Sequence, residues 1–551
     1  MGPHRVAPSF LLFATVLTAQ TEPPAVPTPH VVLETVGPDG WRARLGPTNV
    51  GTMLASETGR AYWEPLAGHV FAFWRQLAGD EQAFAAARDR LLGYSGAIRI
   101  AARLDPNVRR ADGGASFALV LEPDGRTDLA VVATDVRDLL EGAVGDEWTE
   151  HPHDPAPLEL AFDGPDALSA PFWIGERLAV VSGPRDRLDE ALGLAEWLTT
   201  HAPTIGKPTP GSPALRIRFD VPALVAAGAP DADEAAVLRA LGVDSIGDVT
   251  FEVAAAGPHV LVEAGVGFRD AERGVFAAVL PSSQGLSPLL RLVPARASVW
   301  SVGRFDWNAL ADAILRVVDL EMEWAPGRAR QSVEKELGVD VLDGFLAHAT
   351  DEMLVVGAPF EDYDRAFEAT WAIAIRLRDD TKFRAGLDEV LKQVKPFLSP
   401  AETTMVGDVA LRRYGNLMRY DLWLGAGNGL FVLAGGRDAE DRAVTLLEGS
   451  ATLDVTAPTV PDAFADLVRH LPPGHSGATL GNLDSIVGVP TEWWFTILTE
   501  LLPLPVGDSM TEAEAEAAQE RFRELLREHD LTRVRTASGQ AEGRWRWRLF
   551  W

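Results

Sequence analysis

Cysteine is absent from all 551 residues. That excludes disulfides, thiolate metal sites, a catalytic cysteine and lipid attachment through an N-terminal cysteine. Long apolar runs are missing as well. After the first twenty residues no segment offers 18 consecutive apolar residues, so none reads as a membrane-spanning helix. Positive charge is scarce: 50 Lys and Arg stand against 79 Asp and Glu, a net charge of −29. Such a surface repels phosphate backbones and anionic headgroups, so nucleic acid is not an expected partner. Solubility alone accounts for the acidity.

Short catalytic signatures are lacking too. Gly425-Ala426-Gly427-Asn428-Gly429 runs into a strand pattern rather than a helix, which is not the setting of a dinucleotide-binding loop. Gly474-His475-Ser476-Gly477 enters a strand, whereas a nucleophile elbow leaves one, and Ala478 stands where that motif needs glycine. Ser509 after Gly507-Asp508 reads as a helix N-cap. No glycine-rich phosphate loop with a lysine occurs. The motif search therefore yields no catalytic residues and no cofactor. The best metal-like cluster is Glu150-His151-Pro152-His153-Asp154. In it His151, His153 and Asp154 could serve as ligands, but no third histidine lies nearby and a solvated loop explains the residues.

What is present is apolar mass: 47% hydrophobic residues with 16 Trp and 23 Phe, enough for large cores and, at roughly 100–200 residues per domain, for three or four domains. Residues 1–19 read as a signal peptide. The apolar run 10–17 (FLLFATVL) is shorter than the roughly 20 residues a spanning helix needs, and small residues follow it. Residues 20–30 form a Pro-rich spacer. We then expect a first α/β module over 31–200, a linker over 201–214, a second module over 215–457 that repeats the first, and a C-terminal α/β module over 458–551.

The repeats carry this division. Residues 290–306 (LRLVPARASVWSVGRFD) recur as residues 468–484 (VRHLPPGHSGATLGNLD). In each, a proline (Pro294, Pro472) precedes a glycine (Gly303, Gly481) by nine residues and an aspartate (Asp306, Asp484) by twelve. Residues 215–220 (LRIRFD) open a third strand-to-helix junction ending on Asp220. A strand–helix block at 116–140 matches one at 370–394, and 175–198 matches 427–449 after nearly equal spacers. LGVD occurs at 241–244 and at 337–340. Each recurrent aspartate follows an apolar residue at a strand end and precedes a helical run, the position of an N-cap. In the last strand Arg544, Arg546 and Arg548 alternate with Trp545, Trp547 and Leu549, which predicts an aromatic buried face and a basic wet one.

These patterns imply a mixed α+β fold of mainly antiparallel sheets covered by helices, internally duplicated. The LGVD pair, residues 292–306 and GLFVLAGGRDAEDRA (429–443) together resemble a large family of exported bacterial proteins known as a domain of unknown function. The likeness is best over 215–485, and the resemblance supplies no catalytic residue. The expected role is an exported, non-catalytic binding or scaffolding module, periplasmic or extracellular, whose partner is an envelope protein or an apolar ligand. The competing expectation is an extracytoplasmic hydrolase using carboxylates brought together from distant positions. Its mark would be a buried carboxylate pair with raised pKa in a cleft.

Overall fold

The computed structural model describes residues 27–60, 81–104, 114–144, 148–154, 156–203, 205, 212–228, 230–269, 274–279, 285–294, 297, 299–357, 370–394, 400–417, 420–453, 471, 474–482, 520–521, 524–541 and 544–551. Residues 1–19, expected as a signal peptide, most of the expected spacer, Asp484 and most of the acidic segment after Ser509 lie outside them.

Strand–helix–strand–strand units build the sheet. The first has β1 (Val31–Val36), β2 (Ala97–Leu104) and β3 (Ala115–Leu121). A hairpin wing follows: β4 (Trp148–His151), β5 (Leu158–Asp163), β6 (Asp166–Ser169), β7 (Phe172–Ile174) and β8 (Arg177–Pro184). The second unit is β9 (Leu215–Asp220), β10 (Ile246–Ala256) and β11 (His259–Phe268). The same succession then runs again. β12 (Val299–Arg304), β13 (Ala349–Gly357) and β14 (Trp371–Leu377) lead into a wing of β15 (Pro400–Val406), β16 (Val409–Leu417), β17 (Tyr420–Gly427) and β18 (Leu430–Gly435). The last unit is β19 (His475–Asn482), β20 (Arg533–Ala541) and β21 (Arg544–Phe550).

Every pairing among these strands is antiparallel. Traced through them, the order is β4-β5-β6-β8-β3-β2-β1-β9-β10-β11-β21-β20-β19-β12-β13-β14-β18-β17-β16-β15, with β7 beside β6 on β8. Among the described strands β4 pairs with β5 alone and β15 with β16 alone. The order reads the same from either end once β1–β11 are matched with β12–β21, and the seam is β11 against β21. Away from that seam, the strands of the repeated stretches 290–306 and 468–484 are neighbours: Trp300 faces Leu480 and Val302 faces Ala478 across β12–β19. β1 and β9 are paired likewise across residues 201–214.

Local chemistry sets the junctions. Asp220 accepts the Ala223 N–H at 3.1 Å and Asp306 accepts the Ala309 N–H at 3.0 Å, each capping a helix that leaves a strand end. The acidic run 231–234 forms a capping box on the helix Ala232–Leu241. In both LGVD copies the glycine ends a helix in the left-handed region, Gly242 at φ 86° and Gly338 at φ 69°, where only glycine avoids a Cβ penalty. Asn428 and Gly429, at φ 53° and 73°, make the tight turn between β17 and β18.

Helices cover both faces of each wing. On the first wing, the helix Leu188–Thr200 places Leu188, Ala191, Leu192, Leu194, Ala195 and Leu198 on Ala118, Val120, Ala179 and Val181, all sealed from solvent. On the second, the helix Ala439–Ala451 buries Ala443, Leu446 and Leu447 against Trp300, Val302, Leu354, Ala374 and Val432. Leu129 of the helix Leu129–Val144 packs behind β3 and β8. Phe383 and Leu387 of the helix Asp380–Val394 do the same beneath Ala426 and Leu377. No helix among the described residues is long and apolar enough to cross a membrane.

Candidate ligand-binding faces of the central sheet

Between the wings the sheet has two unlike faces. Alternation along a strand sends every second side chain to one side. On that side Arg99, Glu34, Arg216, Glu252, Glu263 and Arg548 stand in one row across β2, β1, β9, β10, β11 and β21. The row is wired by ion pairs. Arg99 Nε donates to Glu34 Oε1 at 3.0 Å, Arg216 Nη2 lies 2.6 Å from Glu252 Oε1, and Arg548 pairs with Glu263. Two rows along, Arg544 Nη2 donates to Asp248 Oδ2 at 2.7 Å. Glu252 and Glu263 face each other directly, a like-charge opposition that destabilises an antiparallel pair. The arginine on each outer flank offsets it.

Burial is uneven. Arg99 is 1% exposed and Glu34 3% exposed. Arg99 also donates to the Leu198 carbonyl at the end of the helix Leu188–Thr200. Its Nη1 reaches Glu122 at 3.4 Å, which Arg177 holds from the other side at 2.6 Å. The ring of partners compensates the desolvation of a buried guanidinium. Past this pair the row opens into a cavity of ≈ 680 Å³ lined by Arg216, Arg218, Thr250, Glu252, Glu263, Gly265, Arg544 and Arg546. Trp197 and His201 form one wall, their rings stacked at 4.1 Å and 20°.

The opposite face is apolar. Ile100, Leu33, Ile217, Phe251, Ala264 and Trp547 form one row, and Ala102, Val31, Phe219, Val249, Val266 and Trp545 the next. Apart from the two alanines these are large side chains, and all are only half-buried. The expectation of a buried aromatic face on the last strand is therefore corrected. Trp545 and Trp547 face one common side, but among the described residues no helix closes over them as over the wings. The basic face is not simply wet either, since Arg544 and Arg548 are ion-paired.

The metal-like cluster does not converge. His151 Nε2 lies 3.5 Å from Asp189 Oδ1, His153 meets the edge of Phe172 at 5.7 Å, and Asp154 is exposed. No group of three or more His, Asp or Glu side chains able to hold a metal occurs among the described residues. Ser476 sits inside β19. Three described carboxylates depart clearly from ordinary acidity, and all move down. Burial pushes Asp124 up, but N–H groups of Thr127, Arg126 and Ser95 and the Thr127 hydroxyl hold it well below the usual range. In Asp340 burial is likewise outweighed, by the Asp343 N–H and by Arg330. Asp379 is lowered chiefly by the Lys382 N–H. In the cavity Glu34, Glu252 and Glu263 each already face an arginine.

Both faces were missed from sequence. The signal was an alternation of arginine with apolar residues in three separated segments: Arg99 in β2, Arg216 and Arg218 in β9, and Arg544 to Arg548 in β21. Only the last was noticed, and nothing local says that the three strands share one sheet face.

No protein-family profile matches the chain, and no characterised protein matches it in sequence. Solved structures of TP0453 show a weak likeness. Crystal form III has a TM-score of 0.21 and 10% identity over 46% of this chain and 83% of that one. Crystal form I has a TM-score of 0.19 and 9% identity over 46% and 81%. Likeness of this degree defines neither fold nor function.

Proposed function

We propose that the protein is an exported, non-catalytic binding module that carries an apolar ligand against the open side of its central sheet, in keeping with the family of exported proteins it resembles. The observation that carries this reading is an inversion. In the same strands, charged Arg99 and Glu34 are buried on one face, while Leu33, Ile217, Phe251 and Trp547 stay half-open on the other. Leaving large apolar side chains in water forgoes roughly 25 cal/mol for each Å² not covered. A contiguous apolar surface of this kind marks a place where something else binds. On the β20 side the rows end in polar residues, Gln540 and Ser538 beside Trp545 and Trp547, while on the β2 side they run on into Leu119 and Phe117 of β3.

The test is titration of the purified, delipidated chain with a fluorescent long-chain fatty acid, with native mass spectrometry to count bound molecules. Saturable binding is expected, and Phe251→Asp should weaken it by at least tenfold while circular dichroism stays unchanged. Absence of saturable binding, or binding indifferent to Phe251→Asp and Ile217→Asp alike, overturns the proposal.

A further inference from the structure

We propose a second site on the charged face, for a small phosphate-bearing molecule held between Arg218 and Arg546 above Gly265. Charge accounting within the cavity leads there. Glu34 is met by Arg99, Glu252 by Arg216, Glu263 by Arg548, and Arg544 by Asp248. Of the cations lining the cavity, Arg218 and Arg546 alone have no hydrogen-bond or ion-pair partner among the described residues. Two uncompensated positive charges in one cavity stand out in a chain of net charge −29. Their side chains share a single cross-strand row, Arg218–Thr250–Gly265–Arg546. The row spans three interstrand steps, about 14 Å at roughly 4.8 Å each, a span that two long arginine side chains with an anion held between them can bridge.

Between the two arginines the row carries only Thr250 and the side-chain-free Gly265. A Cβ at Gly265 would stand 2.8 Å from the Thr250 hydroxyl and 3.8 Å from Arg544 Nη2, so a side chain there would press on the two groups that border the middle of the row. Thr250 adds a hydroxyl at the floor. A phosphate monoester carries nearly two negative charges at neutral pH and offers several acceptor oxygens. It therefore neutralises both arginines at once and can accept from each in the paired geometry guanidinium favours. A polymeric phosphate backbone is a different case, since it would have to approach the acidic remainder of the surface. The stacked rings of Trp197 and His201 make a flat wall for the rest of such a molecule.

This site lies across the sheet from the apolar face, so the two proposals stand or fall separately. The experiment is isothermal titration of the full chain with inorganic phosphate and with a mononucleotide. Saturable binding is expected, tighter for the mononucleotide. Arg218→Ala and Arg546→Ala should each weaken it by about tenfold or more, the loss of a hydrogen bond to a charged group, with fatty-acid binding and the unfolding midpoint unchanged. Gly265→Val, whose side chain would press on Thr250 and Arg544, should also weaken it; because that variant strains β11, the two arginine variants decide the matter. No saturable binding at millimolar phosphate or mononucleotide, or binding that the Arg218→Ala/Arg546→Ala double variant retains, overturns the proposal.

Discussion

Beneath the helix Leu188–Thr200, the sheet residues Ala118, Val120, Ala179 and Val181 are closed off from water. A few strands away Leu33, Ile217, Phe251 and Trp547, more apolar on average, remain half-open. Both sets point from antiparallel strands at regular alternation, so strand chemistry does not separate them. Helix placement does. The wings have a helix on each face, while the middle has charges on one face and incomplete cover on the other. The difference teaches that in this fold the sealed apolar core is concentrated in the wings, while the apolar side of the middle stays partly open.

The comparison can be broken most sharply at Arg99. Replacing it by Met leaves Glu34 buried with a partner removed, and unfolding in denaturant should show a loss of about 3–5 kcal/mol. Adding Glu34→Leu should recover much of it. A loss from the single variant below 1 kcal/mol, or no recovery in the double, would mean that the pair is solvated after all.

Next in size is a matched pair of truncations. Leu446→Ala, at a fully buried position of the second wing, should cost about 2–5 kcal/mol by lost transfer energy and a residual cavity. Phe251→Ala should cost clearly less although it deletes more atoms, because the side chain it removes was only half-buried. Equal losses would erase the distinction between wings and middle.

Smaller is the effect of the helix cap. Asp306→Ala should lower stability by about 1 kcal/mol, read as a modest fall in melting temperature, with fatty-acid binding kept. Unaltered stability together with lost binding would move Asp306 from capping into a ligand site.

Smallest is a pH effect at Asp124. Its acidity in the folded chain is stronger than in the unfolded one, so the carboxylate stabilises the fold above the unfolded pKa of about 3.9. That contribution is lost as pH falls below this value toward the folded pKa. Wild type should therefore exceed Asp124→Asn in stability at pH 7, by about 1 kcal/mol or less given its partial exposure. The gap should close progressively below about pH 4; a gap independent of pH would assign it to geometry rather than charge.

Much of the fold was legible. β2, β3, β14 and β18, the helix ends at Gly242 and Gly338, the caps at Asp220 and Asp306 and the turn at Asn428-Gly429 all follow from signals within a few residues of each other. Helix and strand periods, left-handed glycines and capping side chains act locally, so the chain announces them locally. The candidate faces were much less legible. The arginine alternations in β9 and β21 could be seen one at a time, but Arg218 and Arg546 come together only through the pairing of β9 with β10, β10 with β11 and β11 with β21.

By itself the sequence determined the class of the fold, the succession of strands and helices, and the residues that start and stop them, because these are set by backbone preferences and short-range hydrogen bonds. Tertiary structure decided which strands adjoin, which face each helix covers, and therefore which apolar side chains are sealed and which stay open. Burial is a property of neighbours distant in sequence, and the same alternating strand serves as core under a helix and stays partly open without one.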